Sequence, residues 1–311
     1  SRYPGWGALG GSIEVDVLDR SETVALLTAR LPEMTVEVAD KLAAELGDLP
    51  LAAAQAAGYL EQTGLPSSDY LRRLRSHRVG LLAAGDVLDY QGRVDTTWEI
   101  SLARLRAVSP AAVALLEISA FLASAPIPLS LFTEHPSLLA EPLHSVAHDA
   151  DALADAVGAM VGFSLARRHQ DGYQVHRLVQ AVIRHHLPAV RREAARSQAV
   201  ALLAAAHPGD PRDSTRWHVY ARLAPHVIAI GHVGDGDPPL RQLVLALTLY
   251  QTLRGGDLRA QRQVTEELHE RWQHVLGADH PDTLRLASIV TFALAWTGEH
   301  DEARALGQDT L

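Results

Sequence analysis

The 311-residue chain contains no cysteine, and Lys41 is its only lysine. The missing cysteine excludes disulfides and thiolate metal sites, and it suits a reducing cytoplasm, the expected location. The near-absence of lysine leaves arginine to carry almost every positive charge, which reads as a codon or lineage bias before any function. Apolar runs are short, so no membrane span is expected, and the first residues show no secretory-leader pattern. Acid exceeds base by a formal net charge of −9, which argues against a general nucleic-acid surface but leaves room for a local basic stripe. What the chain has in quantity is apolar surface. Hydrophobic residues make up 47% of it, enough for sizeable cores, and its length suggests two or three domains.

A lysine is also missing where it would matter most. The opening "SRYPGWGALGGSIEVDVL" spaces Gly5, Gly10, Gly11 and Ser12 almost as a G-x-x-x-x-G-K-[ST] phosphate loop does, with glycine in the lysine position. Such a loop follows a buried strand and opens a helix, whose N-terminus faces the phosphates. Here the order is reversed. Ile13, Val15 and Val17 alternate with Glu14 and Asp16, the pattern of a strand, and no ammonium is present for the phosphates. The stretch reads as a glycine-rich turn feeding a strand.

Helical periodicity dominates the rest. Ser21 is a candidate N-cap for "ETVALLTARL", with Glu22 at the positive end of the helix dipole. "TVEVADKLAAEL" puts Val36, Leu42, Ala43 and Leu46 toward one side, and Gly47 ends it. Asp48 can cap the next helix, and Pro50 fits its first turn, where a missing N–H costs nothing. That helix is mostly alanine, so neighbours or a flat ligand can approach closely. With a helix behind Ser67 or Ser68, residues 20–84 read as a small bundle after a short segment at 1–19. Residues 85–188 then give helices at "WEISLARLRAV" and "SPAAVALLEISAFLA", the latter capped by Ser109 and apolar nearly all round. Short helices at "PIPLSLFTEH" and "HDADALADAVGAMV" follow. A β-hairpin is expected at "GFSLARR" and "YQVH", with Asp171–Gly172 as its turn, before a closing helix at "RLVQAVIRHHL". Three of these helices, the hairpin and the closing helix describe a winged helix. Connecting helices fill 189–236. In 237–311 two segments superpose with Gly255 on Gly298 and Ala260 on Ala303, about 43 residues apart, as in helical-hairpin arrays. The array is expected to continue past Leu311. Phe292 and Trp296 read as core of such a repeat. His185 and His186 point to different helix faces, so no metal site is assigned.

These pieces, in this order, resemble the regulatory half of an NB-ARC/STAND-type signalling ATPase followed by tetratricopeptide repeats. "SR" with Trp6 and Leu9 resembles the segment after the sensor-arginine strand. "GDLPLA" resembles the G-L-P-L-A motif, with one residue inserted. "YQVHRLVQAVIR" resembles the M-H-D region, with Arg177 in the aspartate position. "LGADHPDTL…A…G…EA" resembles the long repeats of kinesin light chains. The resemblance implies a mostly α fold: small helical bundle, winged-helix domain with one β-hairpin, then tetratricopeptide-like hairpins. It also implies a site for ADP or ATP shared with a core domain in cis, and oligomerisation of the activated parent. Arg2 would read the γ-phosphate, Pro50 would pack on the base, and His176 would donate to the β-phosphate, with Arg177 also able to approach phosphate. The phosphate loop and the acidic Mg²⁺-binding strand lie outside this sequence, so it is expected to bind no nucleotide tightly and to hydrolyse none. Its partners would be a protein in the groove of the repeats and the core domain, with no membrane.

Two other classes compete. A winged helix can read DNA, but its candidate recognition helix, "DADALADAVGAM", carries three aspartates and no basic residue, so nucleic acid is not expected. A stand-alone enzyme would need a catalytic constellation, and no Ser-His-Asp order or H-E-x-x-H spacing is found.

Overall fold

The computed structural model describes residues 18–83, 100–230, 236–255 and 258–309. Within them the fold is mostly α, with one small three-stranded sheet. Arg2, the glycine turn and the strand expected over 13–17 lie outside the described residues. Contacts divide the chain into two units: Ser1–Val108 with Ala159–Leu165, and Ser109–Gly158 with Ala166–Leu311.

The first unit holds α1 (Arg20–Arg30), α2 (Val36–Leu46), α3 (Pro50–Thr63), α4 (Ser67–Ala83) and α5 (residues 100–108). α1 begins earlier than its serine suggested. Asp19 is the N-cap, and the Glu22 carboxylate turns back to accept from the Asp19 N–H at 3.0 Å. α2 starts at Thr35, whose hydroxyl accepts from Val38, and ends on Gly47 at φ 66°. Its inner face is Ala39, Leu42, Ala43 and Leu46; Val36, expected there, is 67% exposed. Leu27, Leu42 and Leu46 are buried, each worth roughly 1.5–3 kcal/mol by area. The alanines of α3 do what their size suggested. Ala52, Ala53, Ala56 and Ala57 are fully buried, and α1 and α2 pack on that helix. Gly58 continues the logic: a methyl group there would lie 2.5 Å from the Ser164 hydroxyl and 2.8 Å from the Gly162 carbonyl oxygen.

The second unit is built on α6 (Pro110–Ser119), whose Ser109 hydroxyl accepts from the Ala112 N–H at 3.2 Å. Eight of its residues are buried, so its all-round apolar character places it at the centre, against α8 (Leu143–Ala147), α10 (Arg177–His186) and α11 (Ala189–Ala205). The sheet differs from the single hairpin expected. β1 (Ile127–Pro128) joins β2 (Ala166–His169) and β3 (Gly172–Val175) in the order β1-β3-β2, all antiparallel, and α7 (Ser130–Thr133) follows β1. Two residues are too short to show an alternation, so β1 exists through its pairing, Ile127 with Tyr173 and Pro128 with Gly172. The hairpin turn is Gln170–Asp171 rather than Asp171–Gly172. Gly172 lies in the strand because a Cβ there would sit 2.0 Å from the Ile127 carbonyl oxygen.

α9 (Ala150–Gly162) precedes the hairpin, and α12 (Trp217–Ile230) follows α11. Two helix–turn–helix pairs close the chain: α13 (Pro238–Arg254) with α14 (Leu258–Leu276), and α15 (Pro281–Thr297) with α16 (His300–Asp309). Gly255 and Gly298, aligned by the repeat, both have positive φ at equivalent turns, 67° and 87°. Trp272 from α14, Leu245 from α13 and Leu286 from α15 form one buried cluster. Among the described residues no helix is long and apolar enough to cross a membrane.

Candidate functional site

His176 leaves the end of β3 and opens α10. Its carbonyl accepts from the Gln180 N–H at 3.0 Å. Both flanking elements are firmly held. The Tyr173 hydroxyl meets that of Ser119 at 2.6 Å, and burial pushes the Tyr173 phenol well above its usual range. The buried Gln180 amide donates to the carbonyls of Ser119 at 2.8 Å and Leu122 at 3.0 Å, while Val179, Val182 and Ile183 are buried. On this frame His176 and Arg177 are both exposed. Partial desolvation first, then the Arg177 charge, lower the His176 pKa below the ordinary histidine value. The lowered pKa favours the neutral imidazole, which sits beside the Arg177 guanidinium.

Pro50 stands at the first position of α3 and is exposed. The residue inserted into "GDLPLA" is absorbed by a left-handed step: Gly47 has φ 66° and Asp48 φ 56°. Asp48 does not cap α3, whose N-cap is Leu49. Its carboxylate instead takes a two-pronged bond from Arg20, both contacts 2.8 Å, which raises the Arg20 pKa. Pro50 and the adjacent pair His176–Arg177 fall in separate units.

Among the described residues a concavity lies elsewhere. α13 and α15 line a groove of about 680 Å³ whose third wall is the segment from His207 to Arg212. Leu245, Leu249 and Leu253 recur along one stripe of α13, and Arg285, Ile289 and Phe292 along one stripe of α15. Phe292 is 38% exposed and Trp296, its ring 5.3 Å away, is 69% exposed, so neither is the repeat core expected of it. The third wall is fixed from behind. Trp217 donates its indole N–H to the Pro211 carbonyl at 2.9 Å, the Tyr220 hydroxyl donates to the Gly209 carbonyl at 2.5 Å, and Arg216 donates to Pro208. Tyr220 in turn stacks on Tyr250 of α13 at 5.2 Å, and desolvation first, with Asp210 adding, pushes its phenol pKa up to about 12.

At one end of the groove sits a buried ion pair. Arg241 donates to Asp282 Oδ2 at 2.8 Å, with both side chains under a tenth exposed. The Gln242 amide donates to Asp282 Oδ1 at 2.8 Å. Burial acts to raise the Asp282 pKa, but the bonds from Arg241 and Gln242 outweigh it and hold the carboxyl below its usual value. Arg285 reaches the same Oδ1 only at 3.3 Å and keeps 61% of its side chain exposed. Neither Arg212 nor Arg285 was singled out from the sequence. The 43-residue offset carried the signal, since it sets Gln242 on Arg285, Ala246 on Ile289 and Leu249 on Phe292.

A family model described as a domain of unknown function (DUF7779) matches residues 103–192. That stretch takes in α6, the sheet and α10, including His176 and Arg177. No curated protein matches the chain, and no solved structure does.

Proposed function

We propose that the chain is the regulatory and protein-interaction part of an NB-ARC/STAND-type nucleotide-dependent switch, covering an ADP/ATP site and presenting repeats to a protein partner. The observation that carries this reading is the placement of His176. It stands exposed at a strand–helix junction, neutral and beside Arg177, on a frame fixed by Tyr173 and Gln180. A neutral imidazole there donates to an anion without needing to be protonated. Pro50, exposed at the first turn of α3, supports the reading because a base can lie on its ring. The nucleotide would supply the anion, and the switch would follow from whether His176 and Arg177 hold it. The paired helices with matching glycine turns support the tetratricopeptide-like scaffold. The winged-helix reading of α6 to α10 favours a lid over a DNA reader, because α9 exposes Asp151 and Asp155.

Calorimetry of the chain with ADP and ATP tests this. The expectation is no micromolar binding by these residues alone. In a polypeptide joining them to a core with a phosphate loop, His176→Ala is expected to speed ADP release about tenfold or more, roughly 1.4 kcal/mol. Micromolar ATP binding by the chain alone would defeat the lid reading, and ADP release indifferent to His176→Ala would defeat the role of that histidine.

A further inference from the structure

We propose that His144 and His148, on α8 and directly after it, bind a divalent transition-metal ion of the zinc and copper kind. Each would give one ring nitrogen, and water would complete the coordination. The site draws on neither His176 nor the groove between α13 and α15, so it stands or falls independently of both.

Spacing and geometry are the first argument. The two histidines stand four apart in "HSVAH". His148 follows the last residue of α8 in helical backbone, φ −76° and ψ −16°, so both side chains leave one face. The same spacing sets two histidine ligands on one ion in an H-E-x-x-H helix. Ser145 stands in the place of that motif's glutamate, which is a general base and not a ligand, so binding is expected here without hydrolysis. The ring centroids lie 5.0 Å apart and the ring planes cross at 84°. Two imidazoles sharing one tetrahedral ion, each nitrogen at about 2.0–2.1 Å, have centroids about 5 Å apart. The rings therefore need little movement to close on an ion.

The tautomer is the second argument. His144 Nδ1 lies 2.9 Å from the Pro136 carbonyl oxygen. A carbonyl only accepts, so in the neutral ring Nδ1 carries the proton and Nε2 keeps its lone pair. A backbone carbonyl on the far nitrogen is a common outer partner of a metal-bound histidine, fixing both its tautomer and its orientation. His144 is half-buried and His148 is exposed, so one ligand is held while the other leaves the site open to solvent. The neighbouring carboxylates are engaged at their own helix ends. Glu141 accepts from the Ser145 hydroxyl at 2.8 Å, and Asp149 accepts from the Asp151 N–H at 2.9 Å. Among the described residues no group of three or more histidines, aspartates and glutamates is placed to hold a metal. Two protein ligands with open positions make an exchangeable site, unlike the closed four-ligand sites of structural zinc.

The test is calorimetric titration of the untagged, chelator-treated chain with zinc chloride, copper(II) chloride and magnesium chloride. Zinc is expected to bind in the micromolar range and copper more tightly, with no response to magnesium. His144→Ala and His148→Ala are each expected to weaken zinc binding by at least the roughly tenfold loss that follows removal of an outer partner alone. His185 and His186 supply the comparison, since their rings are also close, 5.2 Å apart, but occupy adjacent positions of α10. Their double replacement by alanine is expected to leave the His144–His148 affinity unchanged. Proton spectra with substoichiometric copper, assigned through the variants, should show the His144 and His148 ring signals broadening first. Circular dichroism shows whether each variant folds. Should loss of the His144–Pro136 bond unfold the chain, His148→Ala, at an exposed position, still decides the matter. The absence of micromolar zinc binding overturns the proposal. So does binding that survives His148→Ala, binding lost only with His185 and His186, or a magnesium response equal to that of zinc.

Discussion

His226 is buried in the second unit, and replacing it with leucine tests how the segment before β1 is held. Its Nδ1 accepts from the Ala123 N–H at 3.2 Å, and its Nε2 N–H donates to the Pro126 carbonyl at 3.1 Å. These two bonds tie α12 to residues 123–126, directly ahead of Ile127. Only the neutral ring with its proton on Nε2 can make both. Leucine fills much of the same volume but leaves one donor and one acceptor buried without partners. At about 1–3 kcal/mol for each orphaned group, the loss is expected to be about 2–6 kcal/mol near pH 7.5.

The acid side of the same prediction follows from linkage. Desolvation lowers the folded pKa of His226 below the ordinary histidine value, with the Pro126 bond opposing it only in part. The unfolded chain therefore takes up this proton first as pH falls. The stability contributed by the neutral ring is complete above the unfolded value and is lost as pH drops toward the folded one, at no more than about 1.4 kcal/mol per pH unit. His226→Leu removes this contribution, so the gap between wild type and variant should narrow between pH 7.5 and 5.5. Urea unfolding followed by tryptophan fluorescence reads it, since Trp217, Trp272 and Trp296 all lie in the second unit. A gap that stays constant with pH, or a cost below about 1 kcal/mol, would refute the reasoning.

Gly172→Ala should cost at least about 2 kcal/mol in thermal unfolding, because its methyl group would meet the Ile127 carbonyl oxygen at 2.0 Å and part β1 from β3; a melting temperature near that of wild type would refute it. Gly58→Ala should cost about 1–3 kcal/mol for the same reason, its methyl 2.8 Å from the Gly162 carbonyl oxygen, while Gly64→Ala meets no atom within 4 Å and is penalised only by its φ of 61°. Asp282→Ala should destabilise the paired helices by about 3–5 kcal/mol by leaving Arg241 buried beside a vacancy, as read by hydrogen exchange in α13 and α15. The Asp282 contribution is present above the usual aspartate pKa and is lost as pH falls below it, so the wild-type advantage should shrink in acid.

The elements legible in the sequence were those written by local rules. Thr35 and Gly47 bracket α2, Ser109 and Pro110 start α6, and Gly298 ends α15 in the left-handed region, each by chemistry contained within a few residues. What could not be read depended on partners distant in the chain. β1 has no pattern of its own and requires Tyr173 and Gly172 beside it. Gly172 looked like a turn residue because its neighbour across the sheet was unknown. Asp48 looked like a cap until Arg20, 28 positions earlier, claimed its carboxylate. For the candidate site, His176 was visible as a residue, whereas the frame that holds it rests on Ser119 and Leu122 from α6 and its following turn. The groove was hidden for a similar reason, because Arg212 and Arg285 come from segments that no local window contains together.

The ring of Tyr250 lies flat against Tyr220 and edge-on to Trp217. This aromatic trio joins the paired helices to α12, and through the hydrogen bonds of Trp217 and Tyr220 it also sets the loop that bears Arg212. A disturbance in any one ring is consequently felt on both sides of the groove at once. A substitution at Tyr250, a residue 2% exposed, is therefore expected to reshape the groove from beneath.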